Sequence, residues 1–413
     1  MNEPAFRALP VFRRLIALAL VVTAFAALLP AVVAAAAAPQ TATVMTAFGD
    51  SITAGYEPGM SAQTKPYGYV ERLYEQALYH GRATYANYGI LGLTTSGLRT
   101  LLDTVETGKP VSKADVQPNS LDPRIDDLLK NTADMRKTIE TSTLIVITIG
   151  GNDFSKLFTE LDALSAADGQ KLTQELLDAY TANLTAALAT IYRINPAVTV
   201  VVADQYQPIP QIVNKAMYAE YGKIKDAVAG ALDGIVSSFA KDGFKAKAAH
   251  VADRFVGKEA AYTYILTQDL HPKQAGYEAI AVGFAEAIWG SYALPLKRDP
   301  IAVVVSGAEL KSAYKPELWS NSTFVPINDI ATALGAISKW DNTAKSLSLT
   351  YGGNTVVLKV GSATMLVNGK PVTLEQPPRN YQSKVYVPLK RVAVSLGFDV
   401  QYSDKTRTAF VNL

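Results

Sequence analysis

Ser51, Asp269 and His271 are residues whose types could together perform nucleophilic chemistry. Ser51 ends a Gly-Asp-Ser triplet directly after an apolar run, and His271 follows Asp269 by two positions. A serine hydroxyl is a poor nucleophile until an imidazole takes its proton, and a carboxylate on the other ring nitrogen orients that imidazole. These three side chains are therefore the candidate nucleophile, orienting carboxylate and base.

The Gly-Asp-Ser triplet alone does not establish a catalytic site. Such a triplet is often a strand-to-helix turn in which the serine or the aspartate caps the helix. His80 ends an amphipathic helical pattern beside Gly81, and His250 begins a short apolar run. These positions indicate structural roles for both histidines. His271 is the histidine that we predict to be the base.

Two further motifs follow predicted strands and carry Gly92 and Asn152. Gly92 ends the motif Asn-Tyr-Gly-Ile-Leu-Gly after the second strand, and Asn152 lies in Gly-Gly-Asn-Asp after the third. The carboxyl ends of parallel strands lie at one edge of a sheet, where open α/β folds bind their ligands. We therefore expect Ser51, Gly92, Asn152 and His271 to meet at that edge.

The ordered set of Ser51, Gly92, Asn152 and His271 resembles the GDSL/SGNH hydrolase family of lipases and esterases, and the resemblance spans residues 44–285. The resemblance implies hydrolysis of carboxylic esters through an acyl-enzyme. Nothing in the sequence is specific for a metal ion, and no cofactor is expected. It also implies an oxyanion hole formed by the backbone amides of Ser51 and Gly92 and the side-chain amide of Asn152.

The position of the carboxylate departs from the pattern of that family. The family usually carries an aspartate three residues before the histidine, where this chain has Gln268. Asp269 reaches His271 if the loop is locally shortened; otherwise a backbone carbonyl would have to orient the imidazole. Asp50 and Asp153 neighbour the oxyanion residues, and we expect them to hydrogen-bond the loops that hold the site.

Short apolar runs alternate with helical patterns in residues 41–295, which we predict to be the hydrolase domain. The alternation predicts a three-layer α/β/α sandwich around a parallel, flavodoxin-like sheet, because strands covered on both faces are apolar throughout. The predicted strands are 44–48, 84–88, 144–149, 198–202 and 249–251, and the predicted helices include 67–79, 174–192, 213–239 and 275–289. The charge-rich stretch 122–140 is predicted to be a solvated helix face.

Residues 301–413 contain an internal repeat and follow a predicted linker, residues 296–300. A Val-Pro dipeptide and Gly335 recur 62 residues later, the glycine as Gly397. Repetition at a fixed period marks a duplicated unit, here a strand, a short helix and a hairpin in a smaller α+β module. The module resembles the copper amine oxidase N-terminal-like, stalk-type domain. It contains no His and no Cys, so no copper chemistry is expected.

Residues 1–38 have the pattern of a secretory signal peptide. Three arginines and one glutamate precede an apolar run that ends in an alanine tract, and cleavage is expected near Ala36 or Ala38. The run 15–38 is also long enough for an uncleaved membrane anchor. The protein is therefore expected to be secreted or associated with the cell surface.

Composition excludes several kinds of protein. The chain has 39 basic and 37 acidic residues; without the three arginines and the glutamate of residues 1–38, 36 of each remain. A nucleic-acid partner is not expected at this balance of charge. The absence of cysteine excludes a disulfide framework, a thiol nucleophile and a thiolate metal site.

These observations predict a secreted serine esterase or lipase that acts on small-molecule, lipid or acylated-glycan esters. An O-acetyl esterase of cell-wall or extracellular polysaccharide is a second hypothesis. A third is a cell-envelope binding protein with a non-catalytic hydrolase scaffold, whose C-terminal domain associates with the cell wall. Fold alone does not choose between them.

Overall fold

The computed structural model describes residues 42–413 except 62–63, 119, 121, 161–163, 213–214 and 297–298. The predicted signal peptide, residues 1–38, lies outside the described residues. Within the part of the chain that is described, no helix is both long enough and apolar enough to cross a membrane.

A five-stranded parallel sheet forms the centre of the N-terminal part. Its strands are β1 (Thr43–Gly49), β2 (Ala83–Gly89), β3 (Leu144–Thr148), β4 (Thr199–Ala203) and β5 (Lys245–Ala249). They lie in the order β2-β1-β3-β4-β5, which is the order of flavodoxin-like doubly wound sheets. The predicted parallel, flavodoxin-like sheet is confirmed.

Helices cover both faces of this sheet. They are α1 (Tyr69–Tyr79), α2 (Thr95–Thr107), α3 (Lys113–Val116), α4 (Ile125–Lys130), α5 (Thr132–Thr141), α6 (Ser155–Glu160), α7 (Ala166–Ile194), α8 (Lys215–Lys241), α9 (Glu259–Tyr262) and α10 (Gln274–Trp289), with 3-10 turns at Ala252–Phe255 and Ile265–Thr267. Side chains of a strand alternate between faces. In β3, Ile145 and Ile147 lie in the core formed with α2, α7 and α8, whereas Leu144 and Val146 lie in the core formed with α1 and α10. The three layers are therefore present as predicted.

The fifth strand lies earlier in the chain than predicted. It spans Lys245–Ala249 rather than 249–251, and exposed lysines alternate in it with more buried alanines. β5 is an edge strand, so it lacks the continuous apolar run of the inner strands that the prediction relied on.

The charge-rich stretch 122–140 forms two helices, α4 and α5, and not one solvated helix face. Its first residue, Asp122, precedes α4 and is only 3% exposed. The carboxylate of Asp122 accepts hydrogen bonds from Arg124 and from the backbone of Leu91. The prediction of a solvated face is therefore wrong for Asp122.

The C-terminal part repeats one unit of strand, helix and hairpin. Its elements are β6 (Ala302–Val305), β7 (Ala308–Glu309), β8 (Glu317–Trp319), β9 (Ser322–Pro326), α11 (Ile327–Leu334), β10 (Ile337–Asp341), β11 (Ser346–Tyr351), β12 (Asn354–Lys359), β13 (Thr364–Val367), β14 (Lys370–Thr373), β15 (Arg379–Tyr381), β16 (Lys384–Pro388), α12 (Leu389–Ser395), β17 (Asp399–Ser403) and β18 (Thr408–Asn412). Strands β9 and β16 each lead into a helix, and a glycine with positive φ, Gly335 or Gly397, follows that helix. Val325 pairs with Val387 in antiparallel register. The duplicated α+β module is confirmed.

The C-terminal part packs against helix α1. Phe410 is buried with Leu78 of α1 in a small apolar cluster. Asn412 donates from Nδ2 to the carbonyl oxygens of Leu78 and Gly81, both at 2.9 Å, and thereby satisfies carbonyl groups at the end of that helix. The described residues belong to one compact unit.

Candidate active site

Ser51 lies just beyond the carboxyl end of β1, in a tight turn. The last residue of β1, Gly49, has a φ of +141°, and a Cβ atom there would lie 2.0 Å from the carbonyl oxygen of Thr148. Glycine is therefore required for the chain to turn this close to β3. The N–H of Tyr56 donates to the carbonyl of Ser51 at 3.0 Å, and Ser51 itself is 8% exposed.

The structure brings Ser51, Asp269 and His271 together. The distance from Oγ of Ser51 to Nε2 of His271 is 2.8 Å, and Nδ1 of His271 lies 2.7 Å from Oδ1 of Asp269. The imidazole thus contacts a hydroxyl on one side and a carboxylate on the other. This is the geometry that proton transfer from a serine nucleophile requires.

A shortened loop allows Asp269 to reach the imidazole from two residues away. Gln268 adopts a left-handed conformation with a φ of +62° at the end of a 3-10 turn. The N–H of Tyr264 then donates to the carbonyl of His271 at 3.0 Å, and the N–H of Asp269 donates to the carbonyl of Tyr264 at 3.3 Å. The carboxylate of Asp269, and not a backbone carbonyl, therefore contacts Nδ1 of His271.

Aromatic residues that the sequence did not single out hold the loop of His271 in place. The ring of Tyr56 contacts the imidazole edge-on, with ring centroids 4.6 Å apart. Tyr206 donates its hydroxyl to the carbonyl of Leu270 at 2.9 Å, and Tyr277 donates to the carbonyl of Tyr56 at 2.6 Å. The position of Tyr206 shortly after β4 was the available signal, because that strand ends at the same edge of the sheet.

Asn152 and Gly92 lie in the loops that follow β3 and β2. Nδ2 of Asn152 donates one hydrogen bond to the carbonyl of Leu93 at 2.9 Å, which leaves its second N–H for another acceptor. Gly92 has a φ of +78°. We call the segment 89–93 the oxyanion loop. Asn152 lines the cavity at Ser51, whereas Gly92, as far as the described residues show, does not.

The backbone N–H groups of Ser51 and Gly92 are the two main-chain donors of the predicted oxyanion hole. Among the hydrogen bonds of the described residues, none is donated by the backbone N–H of Ser51 or of Gly92. Buried or partly buried N–H groups are nearly always paired. These two amides and the second N–H of Asn152 could therefore stabilise negative charge that develops on a bound substrate.

Asp50 and Asp153 bond the loops of the site, as predicted. Asp50 accepts the N–H of Ile52 at 3.0 Å and the hydroxyl of Thr148 at 3.3 Å, and its burial raises its pKa to about 7. Asp153 accepts the N–H and the hydroxyl of Thr95, and burial raises its pKa as well. Neither carboxylate is a hydrogen-bond partner of His271.

A cavity of about 340 Å³ opens at Ser51. This volume lies in the range of small-molecule sites, roughly 300–1,000 Å³. Its lining includes the polar residues Gln205, Gln207 and Asn152, and also Pro208. Its apolar wall is formed by Phe154, Leu157, Ile224 and Val228.

The other two histidines lie in structural positions. The ring of His80 stacks on that of Trp289, with centroids 5.0 Å apart. His250 contacts Asp204 through Nδ1 at 3.1 Å. Within the described part of the chain, no group of three or more His, Cys, Asp or Glu side chains could hold a metal ion.

Comparison with family models gives two matches. Residues 47–279 match the GDSL-like Lipase/Acylhydrolase family, and residues 304–411 match the copper amine oxidase N-terminal domain. No curated protein matches the chain.

Solved structures that are similar to this chain include three ester hydrolases. A lipase from a goat rumen metagenome is 20% identical, and the alignment covers 58% of this chain and 94% of that one, with a TM-score of 0.41. A family 3 carbohydrate esterase of Clostridium thermocellum is 18% identical, with 60% and 95% covered and a TM-score of 0.35. An acetyl xylan esterase of Geobacillus stearothermophilus is 16% identical, with 61% and 96% covered and a TM-score of 0.35.

Proposed function

From the finding that the chain belongs to the GDSL-like lipase/acylhydrolase family, we propose that it is a secreted serine esterase that forms an acyl-enzyme on Ser51. The matched segment is more than half of the chain, and the protein is an ester-hydrolysing enzyme. Both family resemblances seen in the sequence are confirmed. The observation that carries the catalytic proposal is the 2.8 Å contact between Oγ of Ser51 and Nε2 of His271.

The proposed reaction has two halves that use the same groups. Oγ of Ser51 attacks the ester carbonyl while Nε2 of His271 takes its proton, and Asp269 stabilises the imidazolium. The proton then passes to the oxygen of the leaving alcohol as the C–O bond breaks. In the second half, His271 takes a proton from water, the water attacks the acyl-enzyme, and Ser51 regains its proton as the acid leaves.

The oxyanion of each tetrahedral intermediate needs fixed donors. We assign this role to the amides of Ser51 and Gly92 and to the free N–H of Asn152. Their positions are set by the folded loops before substrate arrives, so they need no reorganisation during the reaction. The polar contacts of Ser51 and His271 weigh against a non-catalytic scaffold.

The apolar wall of the cavity supports acyl groups longer than acetyl. Phe154, Leu157, Ile224 and Val228 form that wall beyond Ser51. Each methylene group buried there contributes about 0.8 kcal/mol, whereas an acetyl group would leave most of the wall in contact with water. We therefore propose lipid or small-molecule esters with medium or longer acyl chains as substrates, ahead of O-acetylated polysaccharide.

Two variants test the proposed nucleophile. Ser51→Ala should abolish turnover of a butyryl ester and labelling by a fluorophosphonate probe, because only an activated serine reacts readily. Ser237→Ala, on the exposed face of α8, is the matched control and should retain both. Turnover by folded Ser51→Ala protein would reject the assignment.

Secretion rests on the sequence of residues 1–38 alone. The apolar run and alanine tract support export, and N-terminal sequencing of the protein recovered outside the cell tests it. A start near residue 37 or 39 supports a cleaved signal peptide. An intact N-terminus in the membrane fraction would support the anchor instead.

A further inference from the structure

The oxyanion loop is held by a pair of charged residues that follow it in the chain. Oδ2 of Asp122 accepts the N–H of Leu91 at 3.0 Å. Nη2 of Arg124 donates to the carbonyl oxygen of Gly89 at 2.8 Å. The two contacts fix one peptide N–H and one peptide carbonyl on the N-terminal side of Gly92, while the N–H of Gly92 itself stays unpaired among the described residues.

Asp122 and Arg124 also hold each other. The guanidinium donates from Nε to Oδ1 of Asp122 at 3.0 Å and from Nη2 to Oδ2 at 2.7 Å, and the backbone N–H of Arg124 donates to Oδ1 at 2.9 Å. The side chain of Asp122 is fully buried, whereas that of Arg124 is 48% exposed. A two-pronged contact of this kind fixes direction as well as distance.

The carboxylate of Asp122 remains charged in its buried position. Burial acts to raise its pKa, but the hydrogen bonds from Arg124 and from the backbone of Leu91 outweigh burial and hold the pKa below its ordinary value. A buried charge that is paired on all sides cannot easily change its arrangement, because each lost partner leaves it uncompensated. The carboxylate is therefore a rigid support for Leu91.

We propose that Asp122 and Arg124 are positioning residues that aim the backbone N–H of Gly92 at the oxyanion. This inference rests on the proposed function, because it assigns these two side chains to the donor set of that same site. Gly92 needs such support. As a glycine it has the widest backbone freedom, so its amide direction is set by the bonds on its neighbours. Neither Asp122 nor Arg124 is placed in contact with substrate.

A purely structural role would give a different kinetic signature. If the pair only stabilised the fold, its loss would lower the melting temperature and leave kcat unchanged at temperatures where the protein is folded. If it aims an oxyanion donor, its loss weakens an interaction made only in the transition state, so kcat falls and KM stays the same. The decisive measurement is the change in kcat, compared with the changes in KM and in the melting temperature.

The experiment compares four variants of the full chain on a butyryl ester. Asp122→Ala and Arg124→Ala should each lower kcat roughly 10- to 100-fold with KM within about twofold, since a misplaced donor approaches the cost of a lost one. Asp122→Asn should recover most of the loss, because its amide oxygen still accepts the N–H of Leu91. Asp127→Ala, on α4 with its side chain 79% exposed and paired with Lys130, should match the wild type.

Three outcomes overturn the inference. Wild-type kcat in both Asp122→Ala and Arg124→Ala, with Ser51→Ala inactive, rejects the pair while leaving the proposed function intact. A kcat for Asp122→Asn as low as that for Asp122→Ala rejects the Leu91 contact as the cause. If Asp122→Ala does not fold, wild-type kcat in Arg124→Ala rejects the inference by itself. Activity of Ser51→Ala rejects the proposed function instead.

Discussion

Oδ1 of Asp269 accepts two hydrogen bonds from His271, one from the ring at 2.7 Å and one from the backbone N–H at 2.8 Å. One oxygen atom thus fixes both the direction of the imidazole and the path of the chain that carries it. Gln268, just before Asp269, adopts a left-handed backbone conformation. It occupies the position where the family usually has its aspartate. A separation of two residues therefore serves the same geometric purpose as a separation of three.

Asp269→Asn should lower kcat by roughly 10³- to 10⁴-fold, because the amide can donate to Nδ1 and so favours the wrong imidazole tautomer. Steady-state kinetics on a butyryl ester measures the loss. Asp233→Asn is a matched control, since Asp233 lies 3.4 Å from Nε2 of another histidine, His250, and should keep wild-type activity. Activity of Asp269→Asn near that of the control would mean that a backbone carbonyl orients His271.

Much of the site follows from local sequence because its residues come directly after buried strands. Ser51 follows β1 and Asn152 follows β3, and the register of β1 with β3 pairs Gly49 with Thr148 at their ends. Apolar runs predict these strands, and parallel pairing then brings their carboxyl ends together. The contact of Asp269 with His271 did not follow in the same way, since it depends on the unusual backbone conformation of Gln268.

The burial of Asp122, which was missed in the sequence, depends on tertiary contacts. Asp122 belongs to a run of charges that is typical of a solvated surface, yet it is buried and accepts hydrogen bonds from Arg124 and Leu91. The charge pattern alone cannot distinguish a carboxylate that a neighbour pairs from one that water solvates.

The start of α7 was predicted at residue 174, which is later in the chain than the observed start. The helix begins at Ala166, where Ser165 accepts the N–H of Asp168, a capping pattern that the sequence carries.

Ile224→Trp should shorten the acyl chains that the enzyme accepts. Ile224 lines the apolar side of the cavity from α8, and an indole there fills space that an acyl chain would occupy. We expect kcat/KM for an octanoyl ester to fall at least about tenfold, because several methylenes lose burial worth about 0.8 kcal/mol each, while that for an acetyl ester changes less than about threefold. Ile337→Trp, at a site that is 75% exposed, is the control. Equal losses on both esters would contradict an acyl site at this wall.

Asp50→Asn should change how stability depends on pH. Burial raises the pKa of Asp50 from 3.8 to about 7, so between roughly pH 4 and pH 7 the folded protein holds a proton that the unfolded chain has released. Ionisation of Asp50 therefore lowers the free energy of unfolding of the wild type as the pH rises through this window. The asparagine variant has no such group to ionise. Urea unfolding at pH 5 and pH 8 should show the variant gaining stability relative to the wild type at the higher pH. A pH-independent difference would mean that Asp50 is ionised throughout.

Asn412→Ala should loosen the C-terminal part from helix α1. The side chain is 2% exposed, and its two hydrogen bonds to Leu78 and Gly81 each contribute about 0.5–1.5 kcal/mol. Alanine loses both bonds and leaves two carbonyl groups without this donor, so the free energy of unfolding should fall by about 1–3 kcal/mol in urea denaturation. Asn328→Ala, exposed on α11, should change the free energy of unfolding by less than about 0.5 kcal/mol.

The Asn412→Ala variant should keep the activity of the wild type. Asn412 contacts the C-terminal end of α1 and belongs to none of the loops around Ser51, so kcat measured well below the melting temperature should be unchanged. An unfolding free energy equal to that of Asn328→Ala would show that the two hydrogen bonds do not hold the C-terminal part to α1.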